Sequence, residues 1–144
     1  MSAEESRILR GRAETFLRHA EEALKREEFD FSCFSAEQAA QLYLKSLALE
    51  FLGEVPRTHS VRELLSLLMG TVSEVEDSIR ELVRENRQAL RILDESYIAS
   101  RYLTLTYDRE DAEMAVDLAK KGDKTMCEGS ETVSYTHLTL PTKA

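Results

Sequence analysis

The sequence predicts an all-α fold, an up-and-down bundle of four or five helices, and three observations support this prediction. Apolar residues recur at helical spacing through most of the chain. Five Gly and two Pro in 144 residues are too few for the many tight turns of an all-β fold. The connections between the long helical segments are short, which favours antiparallel neighbours. A chain of this length, 42% apolar, can bury one hydrophobic core without metals or disulfides.

The first two helices are predicted over residues 4–26 and 30–52. In the first, apolar residues at helical spacing alternate with charged ones, as is typical of a helix with one buried face. The second is apolar around almost its whole circumference, and Gly53 followed by Pro56 ends it. Because a helix that is apolar all round is buried all round, we expect a homodimer with this helix at or near the interface.

The remaining helices are predicted over residues 60–69, 73–102 and 109–121. Ser60 is the candidate N-cap of the third helix, and Gly70 is expected to end it. Between the fourth and fifth helices, β-branched and aromatic residues replace good helix formers. Residues 1–122 are therefore expected to form a single helical domain.

The segment 123–144 is a different kind of sequence. The helical period ends after Gly122, and the string VSYTHLTLPTKA looks like a translated cloning or sequencing adaptor. We therefore expect an irregular tail that is non-native from about residue 125 onward, and we assign no functional role to His137.

Composition excludes several classes of protein. The net charge of −8 disfavours broad contact with nucleic acid or anionic lipid. Cys33 and Cys127 are too few for a disulfide framework and too isolated for a zinc site, so reduced thiols and a cytoplasmic location are expected. The N-terminus, MSAEESRILR, lacks the apolar region of a signal peptide, and no apolar run is long enough to span a membrane. No metal or cofactor motif occurs in the sequence.

Lys45 is a charged residue within the most apolar helix. Its ammonium either extends to solvent or pairs with a carboxylate across the bundle, or it contacts a phosphate in a cleft. Glu37 and Gln38 precede it by two turns and are expected to pair and fix register rather than to catalyse.

Three further residues are candidates for ligand binding. His59 precedes the third helix, where it either shapes the turn after Pro56 or faces a ligand near a helix N-terminus. Tyr97 and Arg101 are four residues apart and share a helix face. Arg101 suits either an interhelical salt bridge or a bidentate contact with a nucleotide or RNA.

One basic stripe interrupts the acidic sequence. On a continuous helix its four arginines lie within about 60° of arc. They are Arg80, Arg84, Arg87 and Arg91. Glu and Asp residues three and four positions away are expected to neutralise much of this charge. The stripe is interpreted as a solvated helix face, with docking to an acidic partner or an RNA backbone as the alternative.

Three motifs together resemble the HEPN domain family. They read FxxEQAAxxxxKSL from Phe34, GxxPxTHSxxxLL from Gly53 and DxxYIxxRY from Asp94, and the resemblance covers about residues 5–122. It implies a dimeric helical bundle. It also implies one of two functions: a metal-independent ribonuclease toxin with an Arg-x(4–6)-His motif, or a partner subunit of a separately encoded minimal nucleotidyltransferase.

The family motif is incomplete here, because Arg101 is followed by YLTLTYDR, which contains no histidine. A guanidinium cannot take a proton from a 2′-hydroxyl at neutral pH. Arg12 and His19 have the right spacing, but they lie on the first helix, and we interpret them as a chance match. The sequence therefore favours a non-catalytic partner subunit that binds nucleotide or substrate, with a toxin–antitoxin pair as one setting for it. The alternatives are a ribonuclease toxin using Arg101 and a structural dimerisation module.

Overall fold

The computed structural model describes residues 2–71, 73–102 and 104–121, apart from the side chains of residues 2, 75 and 100–102. The described part is an all-α bundle, as predicted. Its helices are α1 (Ser2–Lys25), α2 (Phe29–Leu52), α3 (Val61–Thr71), a 3-10 turn (Ser73–Val75), α4 (Glu76–Glu85), α5 (Arg87–Tyr102) and α6 (109–121). The predicted irregular tail, with Cys127 and His137, lies outside the described residues.

Helices α1 and α2 form an antiparallel hairpin along a seam of small residues. The seam residues recur every seventh position on both helices, and all are buried. They are Ser6, Ala13 and Ala20 on α1 and Ser32, Ala39 and Ser46 on α2. The Ser6 hydroxyl donates to the Ser46 carbonyl at 3.0 Å, and the Ser32 hydroxyl donates to the Ala20 carbonyl at 2.7 Å. Small side chains let two backbones approach closely, which is why hydroxyls of one helix reach carbonyls of the other.

A left-handed residue ends α1 and turns the chain into α2. Glu27 has a φ of 63°, a conformation that usually favours glycine, and the next amide, that of Glu28, bonds to the Ala23 carbonyl at 2.9 Å. Glu27 also pairs with Arg109 of α6 at 2.5 Å. Helix α6 therefore starts beside the α1–α2 turn.

Helix α2 is the central element of the bundle, because α1, α3 and α5 all pack against it. Helices of the same chain therefore cover much of α2, and the homodimer expected through its remaining surface stays a prediction. A stripe of partly or largely exposed residues remains along α2, which we call the α2 face. It consists of Phe31, Phe34, Gln38, Leu42 and Lys45.

The predicted fourth helix is wrong in one respect, because it is interrupted at Asn86. The Asn86 side-chain amide donates to the Leu82 carbonyl at 2.9 Å, while its backbone amide makes only a 3.4 Å bond to the Val83 carbonyl. Asparagine competes with helical hydrogen bonds in this way. The helix therefore ends at Glu85 and restarts at Arg87, and the arginine stripe is divided between α4 and α5.

The other helix boundaries follow local sequence signals with one exception. Gly53 adopts a left-handed φ of 80° and its amide bonds to the Leu49 carbonyl, which ends α2 as expected. Gly70, in contrast, does not end α3, which continues to Thr71. Across the described ranges, no helix combines the length and apolarity needed to span a membrane.

Candidate ligand-binding site

The start of α3 is fixed by a carboxylate from α5. Asp94 accepts from the Val61 amide at 2.7 Å and from the Ser60 hydroxyl at 3.1 Å. The Ser60 hydroxyl in turn accepts from the Glu63 amide at 3.2 Å, which confirms Ser60 as the N-cap. The positive end of α3 is therefore already matched with an anion of the protein itself. This leaves the exposed ring of the neighbouring His59, rather than the helix terminus, as the feature available to a ligand.

The same network positions His59. The Thr58 hydroxyl accepts from the Ser60 amide at 3.1 Å and donates to the Glu63 carboxylate at 2.5 Å, so the residues on both sides of His59 are held. The His59 ring stacks on Tyr97 of α5, with ring centroids 4.8 Å apart and planes 12° apart. His59 is exposed and Tyr97 is partly buried. The structure thus brings together two of the predicted site residues.

One face of α5 carries the residues of this site. Asp94, Tyr97 and Arg101 follow one another at spacings of three and four, which places them on one side of the helix. Arg101 lies in the last turn of α5, and its side chain is outside the described part of the structure. Its two predicted roles, salt bridge or ligand contact, therefore remain predictions.

A second group of polar residues lies on α2. The Glu37 carboxylate is fully buried and accepts hydrogen bonds from Gln38, at 2.7 Å, and from Gln41. A buried carboxylate is costly unless such donors satisfy it. The amides that do so here come from the same helix.

Lys45 follows Glu37 by two turns and is partly buried. Burial lowers the pKa of Lys45, and the attraction of Glu37 partly offsets this effect. Within the described residues, no hydrogen bond, ion pair or ring contact joins Lys45 to His59 or Tyr97. The predicted site residues therefore fall into two groups, with Lys45 beside Glu37 and His59 beside Tyr97.

The arginine stripe is less neutralised than the sequence suggests. Arg80 pairs with Glu76 at 2.7 Å, as expected for residues four apart. Arg84, Arg87 and Arg91 are exposed and form no ion pair with any described residue.

Cys33, the Arg12–His19 pair and the open cavity beside the α1–α2 turn show no sign of a reactive or metal-binding site. Burial raises the pKa of Cys33 to about 12, with smaller contributions from Asp111, Asp30 and Asp108, so its thiol stays protonated. Arg12 and His19 are exposed on α1. In the ranges that the structure describes, no three His, Cys, Asp or Glu side chains are placed to hold a metal ion. An open cavity of about 590 Å³ beside the α1–α2 turn contains none of the predicted site residues.

Sequence reasoning missed the roles of two residues. Asp94 was visible in the third motif, but its contact with Ser60 and Val61 joins residues more than thirty positions apart, which no local spacing indicates. Arg62 on α3 donates to the Arg87 carbonyl at 3.1 Å, and this contact adds a guanidinium to the basic stripe.

Comparison with known proteins assigns the family. The HEPN domain family model matches residues 6–121. Protein TT1696 from Thermus thermophilus, solved by crystallography, is 35% identical to this chain with a TM-score of 0.71, and the match covers 86% of this chain and 97% of TT1696. A search of curated proteins found no match. With a family match over most of its length and a similar helical structure, the chain belongs to the HEPN domain family.

Proposed function

We propose that this HEPN chain is the non-catalytic helical partner of a separately encoded minimal nucleotidyltransferase and binds nucleotide or substrate for it, the two proteins forming a toxin–antitoxin pair. The observation that carries the proposal is the His59–Tyr97 stack, in which one ring is exposed and the backbone around it is held by Asp94 and Thr58. An exposed aromatic ring in a fixed position suits stacking on a nucleobase, which typically contributes about 1–3 kcal/mol.

The residues around Arg101 support a non-catalytic role. RNA cleavage without a metal needs a base to take the 2′-hydroxyl proton, and the eight residues that directly follow Arg101 contain no histidine. The other candidate group on α2 is a buried carboxylate satisfied by two glutamines, an arrangement that holds a side chain rather than moves a proton.

Nucleotide binding is tested by isothermal titration of ATP, GTP, CTP and UTP into the purified protein. We expect at least one to bind, and we expect His59→Leu to weaken binding about tenfold or more because one stacking contact is lost. His19→Leu is the matched control, since it removes an exposed histidine from α1. The absence of binding by all four nucleotides, or equal weakening by both variants, contradicts the proposal.

The partner is tested by coexpression with the nucleotidyltransferase encoded next to this gene. We expect the two chains to elute together in size-exclusion chromatography, with a mass by light scattering that equals a defined complex. Separate elution of the two proteins at micromolar concentration contradicts the proposed partner role. If the chain forms a homodimer but binds neither a nucleotide nor the nucleotidyltransferase, it is a structural dimerisation module.

We also propose that the chain forms a homodimer through the α2 face. Phe31 is 55% exposed on this face, and its ring packs near that of Phe34 with centroids 6.4 Å apart. The exposed Phe31 and the partly buried Phe34 and Leu42 form an apolar stripe of the kind that protein interfaces bury. Sedimentation should show a dimer for the wild type and a monomer for Phe31→Glu. The control Leu67→Glu, at an exposed leucine of α3, should remain dimeric.

RNA cleavage with Arg101 is a second candidate, and one observation favours it. His59 stacks on Tyr97, which lies one helical turn before Arg101, so the fold brings an imidazole to the helix face that carries this arginine. A labelled RNA incubated with purified protein tests this function. We expect no cleavage above background. Cleavage that both Arg101→Ala and His59→Ala abolish would replace the partner-subunit proposal with a ribonuclease.

A further inference from the structure

Four exposed arginines lie on α3 and on either side of the junction between α4 and α5. We call this surface the arginine corner. It consists of Arg62 on α3, Arg84 in the last turn of α4, and Arg87 and Arg91 on α5. The Arg62 guanidinium donates to the Arg87 carbonyl at 3.1 Å, which fixes one charged group beside the start of α5.

No described carboxylate forms an ion pair with these arginines, whereas Arg80 pairs with Glu76 one turn earlier. Glu81 and Glu85, the nearest carboxylates on α4, form no ion pair with these arginines, and three carboxylates on α3 and α5 are bound elsewhere. Glu63 accepts from Thr58, Asp94 accepts from Ser60 and Val61, and Glu95 accepts from the Tyr107 hydroxyl at 3.4 Å. The four guanidinium groups are therefore not ion-paired within the described residues, although the chain as a whole has a net charge of −8.

The backbone adds to this positive potential. Arg87 is the first residue of α5, whose first turn contains no acidic residue, and Arg91 lies one turn later. Positive side chains at a helix N-terminus are disfavoured by the helix dipole, and acidic residues usually occupy such positions. Guanidinium groups placed there are stabilised when an anion from outside the chain binds to them.

We propose that the arginine corner binds the phosphodiester backbone of a single-stranded nucleic acid. Arginine presents a planar set of donors that matches phosphate, and the corner contains arginine and no lysine. A protein ligand fits less well, because no exposed large hydrophobic residue of the described chain lies within four positions of a corner arginine. Protein interfaces usually depend on apolar or aromatic anchors. The corner shares no residue with the His59–Tyr97 pair, so the two proposals are tested with different variants.

The test is fluorescence anisotropy with a labelled oligouridylate of about 12 nucleotides at several KCl concentrations. Three to four phosphate contacts predict that log K falls with log salt with a slope of about −2 to −3. In Arg87→Gln/Arg91→Gln, binding should weaken several-fold, and the slope should decrease in magnitude by about 1.4. Neither side chain forms a described hydrogen bond, so the fold should be unaffected, which circular dichroism verifies.

The control is Arg7→Gln/Arg12→Gln, which removes the same charge from exposed positions on α1. If this control keeps its affinity and salt slope, the proposal is supported. If both double variants lose affinity equally, the proposal is overturned. A DNA oligonucleotide of the same length should bind within a few-fold of the RNA, because the contacts are to the backbone. Tighter binding of polyglutamate than of either oligonucleotide overturns the proposal and identifies the corner as a surface for an acidic protein.

Discussion

The α1–α2 hairpin is held by contacts between small residues along its whole length, whereas the N-terminus of α3 is capped by a single carboxylate of α5. In the hairpin, buried Ala and Ser residues repeat every seventh position, and two serine hydroxyls reach across to the opposite backbone. At the junction of α3 and α5, Asp94 alone accepts from both Ser60 and Val61.

This difference predicts how each region fails. A seam of small residues has no room for added volume, because its stability depends on the close approach of two backbones. A contact made by one carboxylate is sensitive to the loss of that group instead. The Asp94 carboxylate also holds the turn that contains His59. The candidate site is therefore positioned by the region that depends on a single group.

The largest effect is expected from Ala13→Leu in the seam. Ala13 is fully buried in a cluster with Ala39 and Tyr43, so the larger side chain forces the helices apart. We expect the free energy of unfolding to fall by about 3 kcal/mol, measured by urea denaturation. Ala3→Leu, at an exposed position of the same helix, is the control and should change stability little. Equal effects at both positions would show that the seam is not tightly packed.

Asp94→Ala should have the next largest effect. Loss of the cap should lower the free energy of unfolding by about 1–2 kcal/mol. It should also release His59 from Tyr97, which changes the ring-current shift of the His59 Hε1 proton in NMR spectra. The control Asp117→Ala breaks only an exposed pair with Lys121, which contributes little. A His59 signal that does not move in Asp94→Ala would show that the stack forms without the carboxylate.

Local signals in the sequence were sufficient for most of the fold. Gly53 marks the end of α2, and Ser60 marks the start of α3. The spacing of apolar residues locates α1, α2, α3 and α6. The seven-residue repeat of Ala and Ser was also visible in the sequence. The repeat does not stand out there, because its alanines also fit the general apolar pattern and its serines resemble the polar residues of an exposed helix face.

The site could be predicted only in part, because its geometry depends on contacts between distant residues. His59 and Tyr97 were both candidates, yet nothing in their separation of 38 positions indicates that their rings stack. The break at Asn86 was missed for a related reason. An asparagine is tolerated within many helices, and here its side chain binds the backbone of the preceding turn.

Two serine variants test how much the hydrogen bond of Ser32 contributes to the stability of the seam. Ser32 donates to the Ala20 carbonyl, whereas the buried hydroxyl of Ser35 has no hydrogen-bond partner among the described residues. Ser32→Ala should lower the free energy of unfolding by about 0.5–1 kcal/mol, and Ser35→Ala should raise it, because an unsatisfied buried hydroxyl is removed. Both variants gain the same helix propensity, so the difference between their urea midpoints reports the hydrogen bond. If the two variants behave alike, the hydroxyl of Ser32 contributes nothing to the seam.

The smallest effect on stability is expected at Lys45, on the side of α2 that the seam leaves open. Burial lowers the pKa of Lys45 in the folded chain, so the folded state binds its proton less tightly than the unfolded state does. The resulting penalty is present at neutral pH and is relieved as the pH rises through the folded pKa toward the ordinary value of about 10.4. Lys45→Met should therefore be as stable as the wild type or slightly more stable at pH 7, and this advantage should shrink on raising the pH toward 10. The exposed Lys25→Met is the control, and it should show no such pH dependence. Clear destabilisation of Lys45→Met at pH 7 would show instead that the attraction between the ammonium and Glu37 outweighs the cost of burying it.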